Sequence, residues 1–410
     1  MYSFVTQLYR FNFRGIAMDR RLLTLALGMF ALGTDSFIFA GILPQIARAF
    51  HVSIGAAGQM ITVYAITYAL LAPTIAALAA AVPRKRMLIG GMSLFVVANL
   101  ATVVSPTFSI ALATRAIAGV GAAMFSPTAS GTATMLVPPD RRAFALSIIV
   151  AGLTISTAMG TPIGAVIGGL ADWKWALGFV AALGAAGLVG VMALLQDVPL
   201  SPAVSLSKRF APLTDSRVAL VLATTVLAQI GTFIVYNYFS VVFDRAIAGN
   251  TTVVGALLVL WGLAGTVTNL LTGRILDRMG SRKVVIVMLV AIMAVIVSMP
   301  WSAAHLWSAA IAVTIWGGCC WGLLVPQQFR LVQLNPPMAP VLVGLNTSGT
   351  YVGVSIAGVV GAAAIPTIGS HNLGFLASAI VLAALVVSEL ANWRIAAVAN
   401  ASAVKNGATA

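Results

Sequence analysis

The chain has 410 residues, 60% of them hydrophobic and 8% charged. An average soluble domain carries roughly 25% charged residues, so a water-soluble globule of this length is excluded. A formal net charge of +14 would suit a nucleic-acid partner, but the positions of the basic residues turn it into a signal of membrane topology instead.

Residues 1–21 are basic and aromatic, lack the small-residue cleavage site of a secretory signal, and read as a cytoplasmic tail. Met18 is an equally sensible start, so residues 1–17 read either as a membrane-surface tail or as an upstream extension. Six apolar runs follow, at 22–43, 54–81, 87–104, 107–137, 143–170 and 175–195. Each is long enough to cross a hydrocarbon layer of ~30 Å. Unbroken runs without alternation predict helices, because lipid leaves the backbone only helices or closed barrels.

The first run holds Asp35 and the fourth holds Arg115, the ionisable residues that the sequence places well inside spans. A charge at mid-helix costs about 3 kcal/mol even on a lenient insertion scale, so such residues face a cavity and have a task. Asp35 stands nine residues before Pro44, and Arg115 nine after Pro106. At about 1.5 Å per residue, both lie roughly 13 Å below the same surface. In the second span Tyr64 and Tyr68 share a face, and Met124 and Phe125 follow Arg115 in the fourth. The fifth span carries Gly152, Gly160, Pro162, Gly164, Gly168 and Gly169. Glycines at helical spacing admit a neighbouring backbone, and the proline frees a carbonyl and permits a bend; ordinary small-residue packing is the plainer reading.

Residues 196–217 form the one long polar interruption and read as a cytoplasmic linker between an N-terminal bundle, 22–195, and a C-terminal bundle, 218–394. Residues 395–410 read as a cytoplasmic tail. No Gly-x-x-x-x-Gly-Lys-Ser/Thr stretch is present, so the chain has no nucleotide engine of its own. No nucleophile–base–acid arrangement is visible, and the chain reads as a non-enzyme. The three histidines sit at predicted span ends, and the adjacent Cys319 and Cys320 read as small apolar filler. No cofactor and no metal are expected.

The second half repeats the design with runs at 218–243, 253–276, 284–300, 306–332, 339–367 and 372–393. Gln229, Tyr236, Asn237, Trp316, Trp321, Asn346 and Tyr351 join Tyr64, Tyr68, Met124 and Phe125 as candidate substrate contacts. Aromatic rings with a few amides suit an uncharged or weakly cationic amphiphile; bundle packing is the plainer reading of each. The repeat has a fixed offset. Gly33-Thr34 recurs as Gly231-Thr232, Gly119 as Gly317, Pro138-Pro139 as Pro336-Pro337 and Gly160 as Gly358, all 198 residues apart. Phe233 stands at the repeat position of Asp35. A parallel duplication of a multi-span unit is the signature of a two-halved secondary transporter with its site between the halves. Of the 23 basic residues, 19 fall in segments on the side of the termini and the linker, and the positive-inside rule makes that side cytoplasmic.

Three motifs carry a family resemblance. The run from Gly273 through Asp277, Arg278 and Gly280 to Arg282 and Lys283 resembles the Gly-x-Leu-Ala-Asp-Arg-x-Gly-Arg-Lys loop of the major facilitator superfamily. Its first-half counterpart departs from the pattern, with Ala76 and Pro83 for the two glycines and Ala80 for the aspartate. The fifth-span glycines and Pro162 resemble the Gly/Pro motif of the antiporter branch. Arg115 to Gly119 is similar to Arg-x-x-Gln-Gly, with Ala118 in place of Gln. The whole chain looks like a twelve-span drug:proton antiporter of this superfamily, near the arabinose-efflux-permease group.

The resemblance implies an all-α membrane protein with twelve transmembrane helices in two six-helix bundles related by a parallel pseudo-two-fold repeat. It implies alternating access, a cytoplasmic latch at Gly273, Asp277, Arg278, Gly280, Arg282 and Lys283, and an antiporter helix motif in the fifth span. Spans one and four are neighbours on the central cavity in the family, which places Asp35 and Arg115 to pair. A motion that separates them would load a proton on Asp35, and re-forming the pair would release it; a static buried ion pair is the alternative. The implied function is export of a small organic molecule, a drug or a metabolite such as a sugar or nucleoside, in exchange for protons. Proton-coupled import, facilitation, and a non-transporting sensor or scaffold stay open. The expected partners are substrate, protons and membrane lipid, with no nucleic acid, in a chain that works as a monomer in a bacterial inner membrane.

Overall fold

The computed structural model describes residues 19–78, 82–138, 141–196 and 206–407. Among the described residues, twelve helices are long and apolar enough to cross a membrane: α1 Arg20–Ala49, α2 Ile54–Ile75, α3 Arg84–Val103, α4 Phe108–Met135, α5 Phe144–Leu170, α6 Trp173–Leu194, α7 Ser216–Asn237, α8 Thr251–Met279, α9 Ser281–Ser302, α10 Leu306–Leu334, α11 Pro336–Ile368 and α12 Ser370–Val398. Several begin at side-chain caps. Asp19, Thr107, Asp172, Asp215 and Asn250 each accept a backbone N–H of the first turn of the helix they precede.

The sequence reading ended the first span at residue 43, but α1 runs on through Pro44 to Ala49. A proline inside a helix loses its own donor and crowds the carbonyl four residues back, but Ile46 and Ala47 beyond it are buried in the core, and that burial offsets the cost. In α5 a π-helical turn, Ser156–Gly160, stands just before Pro162. Pro162 has no N–H for the carbonyl four residues back, which is where a helix loosens into a wider turn. α10 consists of two helices, Leu306–Gly322 and Leu324–Leu334. Beyond α7 the chain continues in two one-turn helices, Phe239–Val242 and Asp244–Ile247, stopped by Ala248 in the left-handed region.

Packing repeats as the sequence does. In the first bundle α1 packs on α5 and α6, α2 on α4, and α3 on α4 and α6. In the second, α7 packs on α11 and α12, α8 on α10, and α9 on α10 and α12. Each of these neighbour pairs has its counterpart six helices later, which is the parallel pseudo-two-fold. Matching glycines mark matching contacts: Gly119 faces the Tyr64 backbone as Gly317 faces that of Trp261.

The bundles meet along α2 with α11 and α5 with α8. One end of the molecule carries Arg20, Arg84, Lys85, Arg86, Arg278, Arg282 and Lys283 at helix termini and is called the basic end below. Close contacts between bundles lie toward the opposite end: Gly55 against Ala362, Gly58 against Tyr238, Gly169 against Thr251 and Gly262 against the Thr157 carbonyl. The Ser240 hydroxyl donates to the Ala40 carbonyl across the same seam at 2.5 Å. Toward the basic end, Gly273 on α8 and Gly344 on α11 face open space. These close glycine contacts between the bundles thus lie away from the basic end.

Candidate functional site

Asp35 on α1 and Arg115 on α4 form an ion pair, Nη1 to Oδ1 at 2.9 Å, with the side chains 0% and 1% exposed. Asn99 on α3 accepts a second bond from the same nitrogen at 3.3 Å. The guanidinium lies 4.4 Å from the centroid of the Phe39 ring and 4.7 Å from that of Tyr64. Aromatic faces complement a cation that has left water. Asp35 Oδ2 and Arg115 Nε have no hydrogen-bond partner. The pair is therefore complete in charge but not in hydrogen bonding.

Asp35 adjoins the seam through its neighbours in sequence. Ser36 Oγ donates to Leu32 O at 2.9 Å and lies 3.3 Å from the Tyr64 hydroxyl and 3.5 Å from that of Tyr351, on α11 of the other bundle. Tyr351 packs on Tyr68 with ring centroids 4.1 Å apart, and the Tyr68 hydroxyl donates to Ser126 Oγ. Phe37 reaches the second bundle directly, with centroids 6.1 Å from Phe233, 5.7 Å from Tyr236, 6.3 Å from Trp261 and 5.8 Å from Trp321. Tyr236 packs on Trp261 at 4.5 Å, and Trp316 lies 6.1 Å from Tyr236. The hydroxyl of Tyr236, the indole nitrogens of Trp261, Trp316 and Trp321, and the amide oxygen of Gln229 are buried without partners.

The candidate residues thus divide. Tyr64, Tyr68 and Tyr351 meet across the seam beside the ion pair, and Tyr236, Trp316 and Trp321 form an aromatic wall on the second bundle. Met124 packs on Gly90 and Gly91 of α3, and Phe125 on Gly28 of α1, so both fill the interior of the first bundle. Asn237 donates to the Val354 carbonyl and ties α7 to α11. Asn346 accepts from Thr225, nearer the basic end. Phe37, Asn99 and Trp261 were missed; Trp261 has a signal in the sequence, since it stands 197 residues after Tyr64.

Arg330 requires a correction. It belongs to the 19 basic residues placed on the side of the termini and lies four residues before the end of α10, yet it is 3% exposed. Its guanidinium donates to Gln327, Ser388 and Asn392, linking α10 to α12. The second helix of α10 carries it inward against α12, so Asp35 and Arg115 are not the only buried charges.

Around the site, the α5 glycines form a track for α1. Gly152, Gly160, Gly164 and Gly168 face Ala26, Thr34, Ile38 and Ile42 in turn, while Gly169 faces Thr251 of α8. In the loop between α8 and α9, Gly280 takes φ +77°, and Arg282 pairs with Glu389 of α12 at 2.5 Å. Gly273, Asp277, Arg278 and Lys283 are exposed. Residues 79–81 of the first-half counterpart of this loop lie outside the described residues, as do residues 1–18 and residues 197–205 of the linker.

Two six-helix bundles in parallel repeat, meeting along one seam, are the architecture of a membrane transporter. The chain belongs to the Major Facilitator Superfamily, whose family model matches residues 25–358. It is 30% identical over 356 residues to the Escherichia coli (strain K12) inner membrane transport protein YdhP, covering 86% of this chain and 90% of that one. It is 26% identical over 370 residues to a probable sugar efflux transporter of Helicobacter acinonychis, covering 89% and 93%. Among solved structures, the nucleoside transporter NupG superposes with a TM-score of 0.72 at 12% identity, over 91% of this chain and 98% of that one. At that identity the likeness speaks for the fold alone.

Proposed function

We propose that this protein exports a small organic molecule in exchange for protons across a bacterial inner membrane, working as a monomer with its basic end and both termini in the cytoplasm. The observation that carries this reading is the buried Asp35–Arg115 pair, with one carboxylate oxygen left unpartnered. A buried carboxylate stays ionised while its counter-ion is beside it, and separation in a dry site favours the neutral acid. Loading and release of a proton then follow from making and breaking one contact. Ser36 and Phe37, the next two residues of α1, touch the second bundle, so rocking of the bundles bears directly on that contact. Likeness to a probable sugar efflux transporter and to an inner membrane transport protein supports export and location.

In this reading the structure is in an inward-open state. The loop around Asp277 is the latch that engages when the basic end closes, and the α5 glycine track lets α1 slide. Inward proton movement supplies about 2.3 kcal/mol per charge per 100 mV of membrane potential. The test uses protein in liposomes with an internal pH-sensitive dye and an imposed gradient. Substrate should collapse the gradient with wild type and leave it intact with Asp35→Asn. Equal substrate flux in both proteins without proton movement would sink the antiport reading and make Asp35 a structural residue.

A further inference from the structure

We propose that the aromatic wall of the second bundle is built to receive the oxygen atoms of an uncharged ring compound, so that the substrate is a neutral polyhydroxyl or carbonyl-bearing ring and not a cationic amphiphile. This rests on reading the seam as the substrate site. Tyr236, Trp261, Trp316 and Trp321 are 2%, 0%, 0% and 7% exposed, and the hydroxyl and all three indole nitrogens lack partners. Their rings are in contact, yet no indole N–H bonds to the Tyr236 oxygen. A buried donor without an acceptor is costly and rare. Four in one cluster are explained by a ligand that brings acceptors.

Charge narrows the class. An indole N–H presents its positive end, which repels a cation. Asp35, the aspartate buried among the described span interiors, is already held by Arg115 behind the Tyr64 ring. A positive ligand could rest only on the ring faces, which would leave all four donors unsatisfied. An anion fares no better, because the wall itself contains no Lys or Arg. What remains is a neutral acceptor, with flat aromatic faces for the C–H face of its ring. Phe37 lies against the same wall from the first bundle, so both bundles would grip the ligand.

The experiment is equilibrium dialysis of purified protein, at one pH and without a gradient, against radiolabelled uridine, glucose and tetraphenylphosphonium. At least one neutral ring should bind and the cation should not. Tyr236→Phe and Trp316→Phe should each weaken that binding about tenfold. Tyr236→Phe deletes an unpaired buried hydroxyl at nearly constant volume, so its melting temperature should hold or rise, which separates lost recognition from lost fold; Trp316→Phe also opens a cavity at a fully buried site and should melt somewhat lower. Absence of binding by both neutral probes overturns the proposal, whatever the cation does. So does neutral binding that both substitutions leave unchanged, in which case the donors are only hydrated. Dialysis involves no proton movement, so a failure here leaves the coupling role of Asp35 standing, and a failure of Asp35→Asn leaves this assignment standing.

Discussion

Asp35 shows how much a single side chain can reveal and conceal. Its pairing with Arg115 was legible from two mid-span charges on helices that the family places side by side, but its depth was not, because Pro44 lies inside α1 and does not mark its end. Asn99, the third member, was not legible, because an amide in an apolar run looks like any other small interruption. Arg330 was misread because the count of basic residues at helix ends has no way to see a helix turning its last charge inward. Breaking a buried pair from one side costs about 3–5 kcal/mol, since it strands the partner. Arg115→Ala should therefore lower thermal stability by that order, and Asp35→Asn added to it should recover most of the loss, read by unfolding in detergent. At the water-exposed end, Arg217 holds the Asp215 carboxyl below its usual value, chiefly by side-chain hydrogen bonding. A group with a depressed native value contributes fully above its unfolded value near 3.8 and loses the contribution as pH falls through the native one. Asp215→Asn should flatten the acid limb of a melting-temperature profile below pH ~4 and change little near neutrality.

At the scale of the helix, α5 was the most legible element and α10 the least. The glycine spacing in α5 announced a close neighbour, and the structure supplies α1 along its length. The π-turn was foreshadowed only as a bend at Pro162, since a sequence states that a donor is missing but not how the helix absorbs the loss. The break in α10 is marked by Pro326, which has no N–H for the carbonyl of Gly322, where the first helix ends, but a proline does not say whether a helix bends or breaks. Glycines in different surroundings give a graded test. A Cβ at Gly262 would run into the Thr157 carbonyl, whereas one at Gly273 meets nothing within 4 Å. Gly262→Ala should cost 1–3 kcal/mol, the range for overpacking, and Gly273→Ala should be near neutral. Gly280→Ala, at φ +77° and ψ 156°, should cost about 1–3 kcal/mol from backbone strain alone. Thermal unfolding of the three variants gives the order; equal losses would show that packing at the seam is loose.

For the whole molecule, the duplication was plain from glycines and prolines at a fixed offset, and family membership followed from it together with three motifs. The conformational state could not be read that way, because one sequence encodes every state of the cycle. Labelling can read it. In a background with Cys319→Ser and Cys320→Ser, a cysteine at Gly344 should react with a membrane-impermeant maleimide and one at Gly55, pressed against Ala362, should not. The pattern should invert when the seam closes at the basic end.

The aromatic wall also makes the protein its own optical probe. Trp175, Trp301, Trp307 and Trp393 are 67%, 66%, 82% and 68% exposed, outward on a molecule whose surroundings are acyl chains. Trp261, Trp316 and Trp321 are at the seam, and Trp173 is buried elsewhere. Reconstitution in brominated lipid should therefore silence the peripheral four and leave emission dominated by the seam. Opening of the bundles would then appear as a red shift of native fluorescence, with no dye attached and no residue replaced.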